Sequence, residues 1–294
     1  MTARPFTMPA KADRIVFQGE AGANSDIACR ELFPDIQPIP MPTFEDCFQA
    51  LSSGEADLGV IPIENTVAGR VADIHHLLPT ADLSIIGEHF LPIHFHLMAL
   101  PGTKIDQIES VHSHIHAFGQ CRSIIRKHRW KPVVAGDTAG AAKMIAESGD
   151  STMASLSPLL AAELYGLEIL QEHVEDTDTN ITRFVVLSKT PVHYERKSSD
   201  ELLMTTFVFR VRNIPAALYK AMGGFATNGV NMTKLESYQL GGKFTATQFY
   251  ADIEGHPDDH NVRLAFEEIK FFTDLFEVLG VYPAANLRIK QNVQ

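Results

Sequence analysis

Short apolar runs alternate with segments of helical periodicity over residues 14–170. The runs "RIVF" and "LGVI" have the length and β-branched content of buried strands. In contrast, "TFEDCFQALSSG" and "DTAGAAKMIAES" place their apolar side chains on one helical face. Repeated βα units of this kind are typical of parallel sheets covered by helices. The alternation therefore predicts an α/β fold.

Two of the predicted helices carry signals at their ends. Ser25 is the predicted N-cap of the helix after the first strand, because its hydroxyl can accept a backbone N–H. Thr43 is the predicted N-cap of the next helix, with Asp46 at the third position of a variant capping box. Gly54 is expected to end that helix.

The composition changes near Pro191, where "TPVHYERKSSDE" lacks any apolar period and predicts a linker. Beyond it, the apolar pattern predicts the order βαββαβ, including a strand over "KFTATQFYADI". This order is that of a ferredoxin-like unit, which is large enough to fold alone. We therefore predict a first domain over residues 13–190 and a second over residues 203–283.

The charge and hydropathy patterns exclude several classes of partner. A formal net charge of −11 without a basic run argues against nucleic acid. No apolar run reaches the length of about 18 residues that a membrane helix needs. Residues 1–14 lack the apolar core of a secretory signal and predict a loose leader. With three widely spaced cysteines, predicted to be reduced, the chain is expected to be cytoplasmic.

Polar residues gather where predicted strands end, in "GEAGANS", "IENT", "HSHIH" and "NITR". Ligands of α/β sheets collect at the carboxyl ends of strands, so these four loops are expected to converge on one pocket. Gly19 and Gly22 lack the third glycine of a dinucleotide loop. They instead predict a tight turn with close approach to a ligand.

The motifs "GEAGANS", "GVIPIENTVAGRV", "SHIHAFGQC", "LAAELYGLEIL" and "DTNITRF" occur together and in family order. In these motifs the chain resembles prephenate dehydratases that carry a C-terminal ACT regulatory domain, over residues 14–283. The resemblance implies two α/β lobes like those of periplasmic binding proteins, followed by a ferredoxin-like ACT domain. It also implies a hydro-lyase that converts prephenate to phenylpyruvate in L-phenylalanine biosynthesis. Arogenate dehydratase and a non-catalytic amino-acid sensor remain the alternatives.

The resemblance also implies functions for individual residues. Thr182 of "NITRF" is the residue most implicated in catalysis, as a donor to the departing oxygen, and a protonated Glu64 is its rival. Arg183 is predicted to clamp a substrate carboxylate, or else to pair with Asp176 or Asp178. The remaining candidates are Asn65, Ser113 and Gln120 for catalysis, and Gly22, Ser25, Asn180 and Phe184 for substrate binding, with Phe184 as an apolar wall.

L-phenylalanine is the expected effector, bound where paired ACT domains meet, so a homodimer or homotetramer is predicted. The candidate effector residues are Asn213, Ala216, Ala217, Leu218, Asn231, Glu236 and Ser237. Two family motifs are altered here: Ala216 replaces a usual glycine, and Tyr238–Gln239 replace a usual arginine and proline.

No step of this reaction needs a metal or another cofactor, and none is predicted. His112, His114 and His116 alternate as ligands on one strand face could, so a metal-dependent lyase is a further alternative. However, a helix is expected to begin near His116 and to break that common face.

Overall fold

The computed structural model describes Pro9 and residues 12–198, 200–239 and 247–291. Most of the predicted leader, and the first four residues of the predicted strand over residues 243–253, lie outside these residues. The chain forms two compact units. One comprises residues 13–71 and 89–184, and the other comprises residues 72–88 and 185 onward together with the N-terminus.

Two sheets carry the first part of the chain. The first contains β1 (Ile15–Gln18), β2 (Ile39–Met41), β3 (Leu58–Asn65), β4 (Gly69–Arg70), β5 (Ser84–Pro92) and β11 (Ile181–Ser188). Its order is β2-β1-β3-β11-β5, with β4 paired to β3. The second contains β6 (His96–Ala99), β7 (Ser110–Ser113), β8 (Lys131–Val134), β9 (Met153–Ser157) and β10 (Glu168–Gln171). Its order is β10-β6-β9-β7-β8.

Helices connect these strands, as the alternation predicts. They are α1 (Asn24–Leu32), α2 (Phe44–Ser53), α3 (Ala72–Leu77), α4 (Ile115–Gln120), α5 (Arg122–His128), α6 (Thr138–Ser148) and α7 (Leu159–Tyr165). Single 3₁₀ turns lie at Leu78–Thr80 and Ile105–Gln107. The predicted α/β class and the presence of two sheets are therefore confirmed.

Both the parallel pairs that the βα units predict and antiparallel pairs occur in these sheets. β1 pairs in parallel with β2 and β3, and β7 pairs in parallel with β8 and β9. However, β6 is antiparallel to both β9 and β10. The chain enters β6 from β5 of the first sheet through three residues, so no helix precedes β6 and it is not part of a βα unit. Both sheets lie among apolar side chains, and Ile15, Val60 and Leu97 are fully buried.

The C-terminal part has the predicted βαββαβ order. Its elements are β12 (Leu203–Val211), α8 (Ala217–Thr227), β13 (Met232–Gln239), β14 (Thr247–Glu254), α9 (His260–Lys270) and β15 (Thr273–Pro283), followed by α10 (Asn286–Gln291). The sheet order β13-β14-β12-β15, with antiparallel pairs throughout, is that of a ferredoxin-like fold. Phe207, Phe225, Phe249 and Phe266 belong to its buried core.

Residues 72–88 group with this C-terminal part and not with the strands that precede them. The ring of His75 lies 5.2 Å from that of Tyr250, and Gly280 packs against the backbone of Ile85. The predicted first domain, residues 13–190, therefore does not coincide with one compact unit, because residues 72–88 belong to the other unit. The predicted domain boundaries stay a prediction. No helix among the described residues has the length and apolar character needed to cross a membrane.

Candidate active site

The motifs "IENT" and "NITR" meet at the ends of two neighbouring strands. β3 does not stop at Ile61, as the sequence suggested, but runs on through Glu64 and Asn65. Its neighbour β11 begins at Ile181. The Thr66 backbone N–H donates to the Ile181 carbonyl at 3.0 Å, and the Ile181 N–H donates to Thr66 Oγ1 at 2.9 Å. These bonds hold the two motifs together.

The Asn65 amide is fixed at both of its ends. Its Oδ1 accepts the backbone N–H groups of Val67 at 2.9 Å and Ala68 at 2.7 Å. Its Nδ2 therefore faces the other way and donates to Asn180 Oδ1 at 2.7 Å and to Thr182 Oγ1 at 2.9 Å. Because Thr182 Oγ1 is an acceptor in this bond, its own proton stays available. Within the described part of the chain, the half-buried Thr182 hydroxyl has no acceptor for that proton.

Gln120 joins the same network from the second sheet's helices. The Asn180 Nδ2 donates to Gln120 Oε1, and Asn180 itself is buried. The backbone of Gln120 is held as well, because its carbonyl accepts the Asp176 N–H at 2.6 Å. The Asp176 carboxylate accepts the N–H groups of Arg122 at 2.9 Å and Ser123 at 3.1 Å, at the start of α5. A continuous chain of amides therefore leads from Gln120 to Thr182.

Arg183 pairs with Glu64, which the sequence did not suggest. Its Nη1 lies 2.9 Å from Glu64 Oε1, and only 1% of the Arg183 side chain is exposed. The Asp176 carboxylate, one of the two alternative partners, accepts the backbone N–H groups of Arg122 and Ser123. A buried guanidinium presents no open fork to a substrate carboxylate in this conformation. Glu64, the rival donor, is thus the ion-pair partner of Arg183 in this conformation.

Two predicted site residues point into the interior. Ser113 is fully buried at the end of β7, and its hydroxyl donates to the Leu156 carbonyl at 2.6 Å. Phe184 is 1% exposed and lies in the core, so it is not a wall open to a ligand. Thr182 and Phe184 are two positions apart on β11 and therefore share one face of the strand. They differ in depth, because Thr182 is half-buried near the start of β11 whereas Phe184 lies in the core.

The "GEAGANS" turn packs against another part of the protein. At Gly22 the close neighbour is helix α7, where the sequence predicted a ligand. Gly22 has φ of +86°, and an added Cβ would lie 2.9 Å from the Ala161 Cα of α7. The predicted N-cap at Ser25 is wrong, because Ala23 occupies that position and Ser25 lies buried in the first turn. Asp26 binds the Gly22 N–H at 2.8 Å. Asp26 was not among the predicted site residues. The sequence does carry a signal for it, because Asp26 and Arg30 have the i,i+4 spacing of a helical ion pair, and Arg30 Nε lies 2.7 Å from Asp26 Oδ1.

The three alternating histidines do not form a common face. His112 lies on β7 with its Nε2 3.0 Å from Ser110 Oγ, whereas His114 is the N-cap of α4 and His116 lies within it. The expected helix start therefore breaks the set. Among the described residues, the donor atoms that do converge belong to His94, His173 and Glu175. No local motif signals them, because up to 81 positions separate them.

The predicted effector residues fall into two groups. A cavity of about 570 Å³ in the C-terminal unit is lined by Asn213, Ala216, Ala217 and Leu218, together with Arg210, Arg212 and Asp274. The other three candidates do not line it. The Asn231 Nδ2 donates to Glu254 Oε2 at 2.9 Å, Glu236 Oε1 lies 3.4 Å from Lys234 Nζ, and Ser237 lies on β13.

Comparison with known proteins places this geometry in a family. The family model for prephenate dehydratase matches residues 15–192. A protein of Komagataeibacter europaeus, named bifunctional N-acyl-homoserine lactone acylase/prephenate dehydratase, is 47% identical over 94% of this chain and 98% of its own length. Arogenate dehydratase 3 of Arabidopsis thaliana is 33% identical over 95% of this chain and 69% of its own.

Solved structures agree with these matches. The prephenate dehydratase of Arthrobacter aurescens in complex with L-Phe is 30% identical, with a TM-score of 0.84, and the match covers 92% of each chain. A structure described as the quorum quenching acylase GqqA is 47% identical, with a TM-score of 0.87, over 94% of this chain and 99% of that one.

Proposed function

Because the chain belongs to the prephenate dehydratase family, we propose that it is a hydro-lyase that converts prephenate to phenylpyruvate in L-phenylalanine biosynthesis. One observation carries the proposal for the site. Thr182 accepts a hydrogen bond from Asn65 and retains a proton with no acceptor among the described residues. A hydroxyl so arranged is oriented to donate to an incoming oxygen.

The reaction is limited by its leaving group. Loss of carbon dioxide and hydroxide makes the ring aromatic, so the overall step is downhill, but hydroxide departs poorly without a donor. The Thr182 hydroxyl is a weak acid, and it would act by stabilising the departing oxygen through a hydrogen bond. Donation from Asn65 polarises that hydroxyl and strengthens the bond it gives in turn. The Gln120–Asn180–Asn65 chain thus positions the donor.

The test is to follow phenylpyruvate formation by the purified protein and by two variants. Thr182→Val removes the hydroxyl at similar volume and is expected to lower kcat by about 10²-fold or more, the usual range for one catalytic donor. Thr182→Ser keeps the hydroxyl and is expected to retain most of the turnover. Circular dichroism and melting curves report whether each variant folds. Turnover by folded Thr182→Val at the wild-type rate contradicts the assignment.

Arogenate is the alternative substrate, because several relatives are named arogenate dehydratases. It differs from prephenate by an amino group in place of the side-chain keto oxygen. Assaying both substrates and comparing kcat/KM separates the two. If neither substrate turns over while L-phenylalanine binds, the non-catalytic sensor becomes the favoured function.

We also propose L-phenylalanine as effector of an ACT-like C-terminal unit in a homodimer or homotetramer. The cavity beside Asn213 and Ala216 supports this, as does the relative that was solved with L-Phe. Asn231, Glu236 and Ser237 lie outside that cavity, so in this proposal a second copy supplies them. Calorimetry with L-phenylalanine, compared with Asn213→Ala, tests the site. Absence of binding by the wild-type protein contradicts it.

A second activity is favoured by one comparison, since the relative at 47% identity is also named an N-acyl-homoserine lactone acylase. Incubation with an N-acyl-homoserine lactone, followed by detection of the free fatty acid, tests whether this chain shares it. The folded Thr182→Val variant shows whether both activities use the same hydroxyl. No release of fatty acid removes this candidate and leaves the dehydratase unaffected.

A further inference from the structure

Three side chains outside the Thr182 network direct donor atoms at one another. His94 follows β5, and His173 and Glu175 lie in the loop after β10. His94 Nδ1 is 2.7 Å from Glu175 Oε1, His173 Nδ1 is 3.4 Å from the same oxygen, and the two Nδ1 atoms are 3.2 Å apart. Two imidazoles thus share one carboxylate oxygen, and only one proton can occupy the line between the two nitrogens.

The size of this triangle is that of a metal coordination shell. Zinc binds imidazole nitrogen at about 2.0–2.1 Å and carboxylate oxygen at about 2.0–2.2 Å in tetrahedral sites, which puts neighbouring ligand atoms roughly 3.3 Å apart. The three edges, 2.7, 3.2 and 3.4 Å, lie around that value. A cation at the centre would need only small movements of the side chains.

His96 is a neighbouring buried histidine. It is 95% buried as the first residue of β6, and its Nδ1 has no hydrogen-bond partner among the described residues. Its ring centroid lies 5.1 Å from that of His173. Its nitrogens are not among the donor atoms that converge, so His96 packs beside the cluster and is not one of its three ligands.

The backbone holds the cluster in place. The second oxygen of Glu175 accepts the Phe95 N–H at 2.9 Å, and the Val174 N–H donates to the Phe95 carbonyl at 2.9 Å. Outer-shell bonds of this kind orient ligating carboxylates in metal sites. His173 has φ of +50°, a strained conformation for a residue with a side chain, and it lies among these ligands.

We propose that His94, His173 and Glu175 bind a divalent transition-metal ion of the zinc class. Imidazole donors select such ions over magnesium and calcium, which prefer oxygen shells. The site takes no part in the dehydration itself. A bound ion would fasten the loop of residues 172–176 to the start of β6. Within that loop, Asp176 follows the ligand Glu175 and contacts Gln120 and the start of α5.

The experiment uses the full chain, stripped with a chelator, dialysed and titrated calorimetrically with zinc chloride. We expect one equivalent to bind, with a dissociation constant in the micromolar range or tighter, and magnesium chloride to give no binding. His173→Ala and Glu175→Gln should each weaken zinc binding at least tenfold. Circular dichroism shows that each variant is folded, and His94→Ala serves as a further ligand variant if one of them is not.

His89→Ala is the matched control. His89 Nε2 lies 2.8 Å from Glu31 Oε2, so it forms a histidine–glutamate pair of similar length but with two donors only. Its removal should leave zinc binding unchanged. Anomalous scattering from a zinc-soaked crystal should place the ion at the centre of the triangle. The inference is overturned if folded ligand variants bind zinc as the wild type does, if the wild type binds none, or if magnesium binds equally well.

Discussion

Ala216 is expected to reduce the stability of the fold, because its backbone is in the left-handed conformation. It is the N-cap of α8 with φ of +61°. In that region a Cβ approaches the carbonyl oxygen, and glycine avoids the contact. We expect Ala216→Gly to raise the free energy of unfolding by about 1 kcal/mol, measured by urea denaturation.

Ala217→Gly is the matched control for that substitution. Ala217 is the first residue of α8, and its change to glycine should lower the free energy of unfolding by up to about 1 kcal/mol. If both substitutions change the free energy of unfolding by the same amount and in the same direction, the left-handed conformation of Ala216 is not the cause.

Asp57 contributes stability that depends on pH. Hydrogen bonds from the Arg14 side chain, opposed by partial burial and aided by the Arg14 and Asp13 amides, lower the pKa of the Asp57 carboxyl. A lowered folded-state pKa means that this stability is present above the unfolded value near 3.9 and is lost as pH falls through the folded value. Asp57→Asn should cost about 1 kcal/mol at pH 7. The difference from wild type should shrink below about pH 4, and a difference that stays constant down to pH 2 would refute this.

At the scale of elements, the capping box of α2 formed as the sequence predicts. The Asp46 N–H donates to Thr43 Oγ1 at 3.1 Å, and the Thr43 N–H donates to Asp46 Oδ2 at 3.2 Å. Thr43→Ala should lower the free energy of unfolding by about 1 kcal/mol. Thr190→Ala, at an exposed threonine whose hydroxyl makes no bond within the described residues, should change it by less than about 0.5 kcal/mol.

The packing of β15 depends on a glycine that no pattern would single out. A Cβ on Gly280 would lie 2.0 Å from the Ile85 carbonyl oxygen, so the two backbones must separate. Gly280→Ala should therefore cost about 3 kcal/mol. Gly223 lies within α8 with open space around it, and Gly223→Ala should instead add about 1 kcal/mol. Thermal melts of both variants distinguish a local clash from a general effect of alanine.

At the scale of the whole molecule, a buried ion pair joins residues 200 positions apart. Arg288 Nε lies 2.8 Å from Glu88 Oε1, and Glu88 is buried. The Arg288 Nη2 is also 3.8 Å from the buried Asp252. Removing the guanidinium leaves buried carboxylates without that charge, so Arg288→Ala should cost about 3 kcal/mol.

A partly exposed pair is the comparison for that variant. Arg196 lies 2.8 Å from Asp259, with 31% and 27% of the two side chains exposed. Arg196→Ala should cost no more than about 1 kcal/mol. Denaturant unfolding of both arginine variants gives the two values, and equal values would mean that burial is not the decisive difference.

The elements and much of the candidate site could be predicted because their signals are local. Periodicity gave the α/β class and the βαββαβ order, and the resemblance in "IENT" and "NITR" brought together Asn65, Asn180 and Thr182. The predictions that failed concern where a side chain points and which group it binds. Ser113 and Phe184 turn inward, Arg183 pairs with Glu64, and Ser25 does not cap its helix.

The sequence by itself determined which segments form helices and which form strands, since backbone preference, capping and apolar period act over a few residues. Only the tertiary structure decided which distant groups share a proton or a charge. The convergence of His94 with His173 and Glu175, and of Arg288 with Glu88, depends on strand order and register. Hydrogen bonds and ion pairs act over about 3 Å, and chain distance carries no information about separations that small.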